Sequence, residues 1–130
     1  MDDNTIYKKS FAFSVRIVKL YQYLCKEHQE YVLSKQLLRS GTSIGANVNE
    51  AAAAQSKKDF IAKMSIASKE ARETQYWIDL LVETNYLQAD QSHVVSLRQE
   101  ITEIAKILTA IIKTSQKNLK KEANEKATKN

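Results

Sequence analysis

Between positions 60 and 81 the residues Phe60, Met64, Ala67, Ala71, Thr74, Ile78 and Leu81 follow one another at intervals of 4, 3, 4, 3, 4 and 3. Only an α-helix puts residues so spaced on one face, and an unbroken 4–3 seam is what helices of coiled coils and bundles present to one another. A second seam, Val94, Leu97, Ile101, Ile104, Leu108, Ile111 and Ser115, repeats at 3, 4, 3, 4, 3 and 4. Leu37, Gly41, Ile44, Val48 and Ala51 form a third, and Phe13, Ile17, Leu20 and Leu24 a fourth. The chain has no proline and only two glycines, too few turn residues for a many-stranded sheet protein. The fold class that follows is all-α, an antiparallel up-and-down four-helix bundle, since short linkers make sequential helices antiparallel neighbours.

The boundaries are read from caps and from where each seam fades. The first helix should run from Ile6 to Glu27. It carries a second stripe, Phe11, Val15 and Val18 with Cys25 further on, so its apolar face is broader than one partner helix covers. The second helix should start at Ser34 as N-cap and fade after Ala54. Gly41 and Gly45 leave two readings open there: one helix continued in phase, or a break at Ser40-Gly41. The third should begin at Ser56, which has Asp59 three residues on, a variant of the capping-box spacing, and should end near Asn85. The fourth should begin near Asp90 or Ser92 and end near Lys117. The bundle would then occupy residues 1–117. Residues 118–130, with Leu119 as the only large apolar side chain, would be a polar basic tail, frayed or disordered.

The 130 residues are 43% hydrophobic, enough for one domain with a core. The single cysteine, Cys25, cannot form an intramolecular disulfide and fits a reducing compartment. The start is acidic and polar, and no apolar run reaches membrane-spanning length, so the expected location is cytoplasmic, without a membrane. The formal charge is +5, divided as +1 over residues 1–34, +4 over 35–72, −3 over 73–116 and +3 over 117–130.

No catalytic constellation stands out. His28 and His93 are the only histidines; neither follows a glutamate by three or joins a cysteine cluster, so no metal site is expected. Cys25 lies on the apolar side of its helix and reads as an inert thiol. Gly41-Thr-Ser-Ile-Gly45 lacks the Lys-Ser/Thr ending of a phosphate loop; its small residues instead suit close approach of another helix. No cofactor is expected.

Two surfaces carry more information. At 100° per residue, Lys58, Lys69, Arg72 and Tyr76 share the side of the third helix opposite its seam. Lys35 and Arg39 point away from the seam of the second. These six are candidate contacts for nucleic-acid phosphates; the alternative is an ordinary solvated face. Beside the third seam run Ile66, Glu70, Glu73, Trp77 and Leu80. Of these, Ile66, Glu73, Trp77 and Leu80 are candidates for a contact between copies of the chain, the alternative being that they cover the bundle's own grooves. Gln36, Ser40, Ser43, Asn47 and Glu50 flank the second seam as a polar stripe, a pattern that sets register or an interface.

The segment Gln36-Leu-Leu-Arg-Ser-Gly-Thr-Ser-Ile-Gly-Ala-Asn-Val-Asn-Glu-Ala51, together with Lys58-Asp-Phe and Lys69-Glu-Ala-Arg-Glu-Thr-Gln-Tyr-Trp-Ile-Asp-Leu-Leu81, resembles the four-helix bundle proteins related to 23S rRNA intervening-sequence proteins. The resemblance covers most of residues 10–115. It implies an antiparallel four-helix bundle assembled as a homopentamer. Distantly similar proteins are accessory factors of diversity-generating retroelements that bind nucleic acid and a reverse transcriptase, so RNA or DNA and a reverse transcriptase are the partners implied here. Many members have proline where this chain has Gly45, so a proline-type kink is not required. The family has no established catalytic residues to carry over; the equivalents of Ser43, Asn47, Glu50 and Glu73 look architectural. Two functional readings result: a non-catalytic, oligomeric, nucleic-acid-binding accessory protein, or a protein-binding scaffold with no nucleic-acid role.

Overall fold

In the computed structural model, which describes residues 3–129 and the side chains of residues 5–128, four helices account for nearly all of the chain. They are α1 (Asp3–His28), α2 (Leu33–Ala52), α3 (Lys57–Glu83) and α4 (Ser92–Lys129). Met1, Asp2 and Asn130, the outermost residues of the two segments expected from sequence, lie outside the described residues.

Each helix packs on the next, and α4 returns to α1. Cross-links give the directions. Lys9 pairs with Glu103 and Arg16 with Glu100, so α1 and α4 run oppositely. Lys57 pairs with Glu122 and Asp79 with Arg98, so α3 and α4 do too. Gly41 lies against Ile17 and Gly45 against Ser14 and Ser10, which makes α1 and α2 antiparallel.

The seams meet in the centre. Phe13, Ile17, Leu37, Ile44, Met64, Ala71, Ile78, Ile104 and Leu108 are fully buried. Thr74, the one polar member of the α3 seam, is buried as well; its hydroxyl donates to the Glu70 carbonyl at 2.8 Å and lies 3.1 Å from Ser40 Oγ. The Thr74–Ser40 contact joins α2 to α3 at this level of the bundle.

α2 is a single helix through both glycines. A Cβ on Gly41 would stand 2.8 Å from both Cγ atoms of Ile17, and one on Gly45 would stand 3.0 Å from Ser14 Oγ. Hydrogen atoms at these two positions let the α1 and α2 backbones approach.

Two boundaries and one helix face differ from the sequence reading. Ser34 does not cap α2; it is buried in the first turn, and its hydroxyl donates to the Glu30 carbonyl at 2.6 Å. The cap is the Glu30 carboxylate, which accepts from the backbone N–H groups of Ser34 at 2.8 Å, Leu33 at 3.2 Å and Val32 at 3.3 Å. A longer acidic side chain placed just before the helix reaches three of the otherwise unpaired N–H groups that a serine would serve singly. The broad apolar face of α1 is divided: Phe13, Ile17 and Leu24 are inside, while Phe11, Val15 and Val18 are exposed, Phe11 by 71%. And α4 continues beyond Lys117 to Lys129. The apolar period stops there, but the sequence beyond has no Gly or Pro, is rich in Lys, Glu and Ala, and places Lys121/Glu125 and Glu122/Lys126 at i, i+4, which suffices to propagate a helix already nucleated in the bundle.

The start of α3 is as expected: Ser56 Oγ accepts from Asp59 N at 3.0 Å. Its end is closed by Asn85 at φ 68, with Tyr86 N donating to Leu81 O and Asn85 N to Val82 O, the paired bonds of a Schellman cap.

Candidate nucleic-acid interface

The outward side of α3 forms because its seam is buried opposite. Lys58, Lys69, Arg72 and Tyr76 are all exposed, and the three cations form no ion pair among the described residues. The bundle's other cross-links consume cations elsewhere: Lys9, Arg16, Arg39, Lys57 and Arg98 each bind a carboxylate. Arg39 is therefore not equivalent to Lys35. Its guanidinium donates to Glu73 across the α2–α3 groove and stands 3.8 Å from Glu70 Oε2. Lys35 is exposed on α2. The structure thus brings Lys58, Lys69, Arg72 and Tyr76 onto one helix side and gives Arg39 to interhelical pairing.

The Trp77 side has two components. Trp77 and Leu80 are half-buried, with Trp77 packed against the core, and Trp77 Nε1 donates to Glu73 Oε2 at 3.3 Å. Glu73 thus accepts from both Arg39 and Trp77, and these residues line the bundle's own groove. Ile66 is 41% exposed, and Tyr76, 59% exposed, sets its ring edge-on to Trp77 at 5.0 Å. Phe11, Val15 and Val18 of α1, Tyr23 and Val95 are other apolar groups that the bundle leaves exposed.

Sequence reasoning missed Lys106 and Lys113. They line a shallow groove between α3 and α4, with Gln75, Thr102 and Ala105. Their spacing of seven put them on one side of α4 in advance, but only the packing shows that this side adjoins α3.

Elsewhere the polar groups serve structure. Arg16 ties α1 to the start of α4 through the His93 carbonyl at 3.0 Å, Ser96 Oγ at 3.1 Å and Glu100 at 2.9 Å. His28 packs edge-on to Tyr23 and Tyr86 at the end of α1, within 3.2 Å of Tyr23 Oη. Cys25 is half-buried, its thiol donating to the Glu30 carbonyl at 3.7 Å. Tyr21 is held above the ordinary phenol range, first by its hydrogen bond with Cys25, then by its electrostatic interaction with that side chain and by desolvation; this moves the phenol further from ionising at neutral pH. Among the described residues no group of three His, Cys, Asp or Glu is placed to hold a metal ion, and no helix is long and apolar enough to cross a membrane.

No curated protein matches the chain. Among solved structures, a crystal structure of a protein with unknown function from the S23 ribosomal protein family, from Bacteroides thetaiotaomicron VPI-5482, is 53% identical and superposes with a TM-score of 0.83, covering 87% of this chain and 99% of that one. The family model described as 23S rRNA-intervening sequence protein matches residues 2–110, which span both motifs that carried the resemblance, the first three helical seams and the fourth as far as Leu108. The chain belongs to the 23S rRNA-intervening sequence protein family.

Proposed function

We propose that this protein is a non-catalytic, cytoplasmic, self-associating four-helix bundle that binds the phosphate backbone of nucleic acid through the outward side of α3. One observation carries the reading: Lys58, Lys69 and Arg72 stand exposed on one helix side without a carboxylate partner among the described residues, while five other cations of the bundle are paired. Cations left unpaired on a rigid surface gain from releasing the counterions of a polyanion, and the resulting binding is salt-dependent and indifferent to sequence. Tyr76 adds a ring on which an unpaired base can stack. A homo-oligomer, with the family resemblance favouring a pentamer, repeats the stripe, so that weak contacts add through effective concentration.

The test is binding of the full chain to RNA and DNA over a salt series, alongside Lys58→Glu, Lys69→Glu and Arg72→Glu combined. Affinity should fall steeply with salt and drop in the triple variant. Absence of binding at about 50 mM salt, or an unchanged affinity, removes the reading. The second reading, a protein-binding scaffold for a partner such as a reverse transcriptase, is favoured by the exposed Phe11, Val15 and Val18 stripe. It takes precedence if nucleic acid does not bind.

A further inference from the structure

Lys106, Lys113, Lys117, Lys120 and Lys121 of α4 are exposed and unpaired among the described residues. At 100° per residue they fall within an arc of about 100°, centred opposite the α4 seam. Glu122 and Glu125 lie outside that arc, Glu122 turned to Lys57. Glu103, at its upper edge, is engaged by Lys9 at 2.8 Å. The row from Lys106 to Lys121 is about 22 Å long at 1.5 Å per residue.

The facing side of α3 contributes a cation too. Arg72 and Asp79 are seven residues apart, and Asp79 reaches α4 through Arg98 at 2.6 Å. Arg72 therefore stands toward the flank of α3 that borders α4, whereas Lys58 points away from the seam and its neighbour Lys57 is the residue that reaches α4, through Glu122. Gln75, one turn beyond Arg72, lines the α3–α4 groove with Lys106 and Lys113. Lys106 and Lys113 of α4 and Arg72 of α3 thus border one groove, floored between them by Gln75, Thr102, Ala105 and Thr109 and crossed at one end by the Asp79–Arg98 pair.

The arrangement is also unfavourable for the isolated helix. Lys113/Lys117, Lys117/Lys121 and Lys117/Lys120 are like charges at i, i+4 or i, i+3, which repel. The helix dipole does not compensate, because its influence is confined to the last turn and these residues lie at least two turns from Lys129.

We infer that the α3–α4 groove is the seat of the nucleic-acid backbone, held by Lys106 and Lys113 of α4, which line it, by Lys117 next along the exposed side of α4, and by Arg72 of α3. The inference rests on the nucleic-acid reading above and relocates its centre, taking Lys35 and Arg39 of α2 out of the site. The phosphate contact is common to RNA and DNA.

The experiment measures anisotropy of labelled RNA and DNA, single strands and duplexes of roughly 20 nucleotides, with the full chain over a salt series. Lys106→Gln, Lys113→Gln and Lys117→Gln combined should weaken binding at least about tenfold and reduce the slope of log affinity against log salt by about two to three. The same three positions changed to Arg should retain both. Lys8→Gln, Lys19→Gln and Lys26→Gln combined, which remove equal charge from exposed positions on α1, should change affinity far less. If the α4 triple behaves like this α1 control while the α3 triple Lys58→Glu, Lys69→Glu and Arg72→Glu still weakens binding, the groove is wrong and the α3-face reading stands. If the unmodified chain binds no nucleic acid, both fall. If polyglutamate displaces the nucleic acid at equal charge concentration, the groove is a site for acidic protein, and the inference is overturned.

Discussion

Replacing Gly41 by alanine sets two effects of opposite sign against each other. In a helix interior alanine is favoured over glycine by about 1 kcal/mol, so on propensity alone the change stabilises α2. The new methyl group, however, would stand 2.8 Å from both Ile17 Cγ1 and Ile17 Cγ2, well inside the 3.5–4.0 Å at which carbon atoms attract. Ile17 is fully buried and β-branched, so no single χ1 rotation withdraws both carbons. Overpacking costs about 1–3 kcal/mol; with two carbons clashing at once the cost falls in the upper part of that range, about 2–3 kcal/mol, so the steric term should win by about 1–2 kcal/mol net. That corresponds to a Tm lower by roughly 3–8 °C for a domain of this size. In an Ile17→Ala background, itself destabilised by about 2–5 kcal/mol, both clashing carbons are gone. There Gly41→Ala should become stabilising by about 1 kcal/mol, because the propensity gain remains and the methyl fills part of the cavity. Urea and thermal melts of the four proteins at one fixed protein concentration read this sign reversal directly. Stabilisation by Gly41→Ala in both backgrounds would falsify the close approach of α1 and α2 at this point.

Ala71→Asp should destabilise by several kcal/mol, about 3 or more, because Ala71 is fully buried in the α3 seam and the new carboxylate would have no partner; an unchanged melt would show that the core face is misassigned. Glu30→Ala should cost about 1–2 kcal/mol, since three backbone N–H groups at the start of α2 lose their acceptor; Glu30→Gln, which keeps an acceptor oxygen, should recover part of the loss in the same melts. Light scattering at micromolar concentration should give a mass that is a multiple of 14.8 kDa, and Phe11→Asp with Val18→Asp should lower it without lowering helicity; a clean monomer mass for the unmodified chain would reject self-association.

What was legible in the sequence was whatever depends on one helix at a time. The α3 seam from Met64 to Leu81 and the α4 seam from Val94 to Ile111 are buried in the register their spacing implied, and Ser56 caps α3. The outward placement of Lys58, Lys69, Arg72 and Tyr76 followed from the same geometry. What depends on which helices adjoin was not legible. The two apolar stripes of α1 read alike, and only packing shows that Phe13 and Ile17 are inside while Phe11 and Val15 are outside. Arg39 looked as free as Lys35 until Glu73 came to face it across a groove. Lys106 and Lys113 became neighbours of the α3 stripe only through the α3–α4 packing. The α2 cap was missed for a different reason: short polar residues are the usual caps, and Glu30 acts from outside the helix through a longer side chain.

The Lys57–Glu122 pair marks where α4 parts from its neighbours. Beyond Leu119, from Lys120 to Thr128, every residue is exposed, so these turns are held by their own backbone bonds and by that surface pair. Segments of this kind open locally at almost no free-energy cost, independently of global unfolding. Amide exchange should therefore be fast over the last three turns and slow from about Ile101 to Ile111. Trypsin should first cut after Lys120, Lys121 or Lys126, leaving a helical core that melts as the whole chain does. The molecule thus consists of a cooperative body and a projecting helical arm that fluctuates on its own, and any ligand that slows cleavage at the arm reveals itself as bound there.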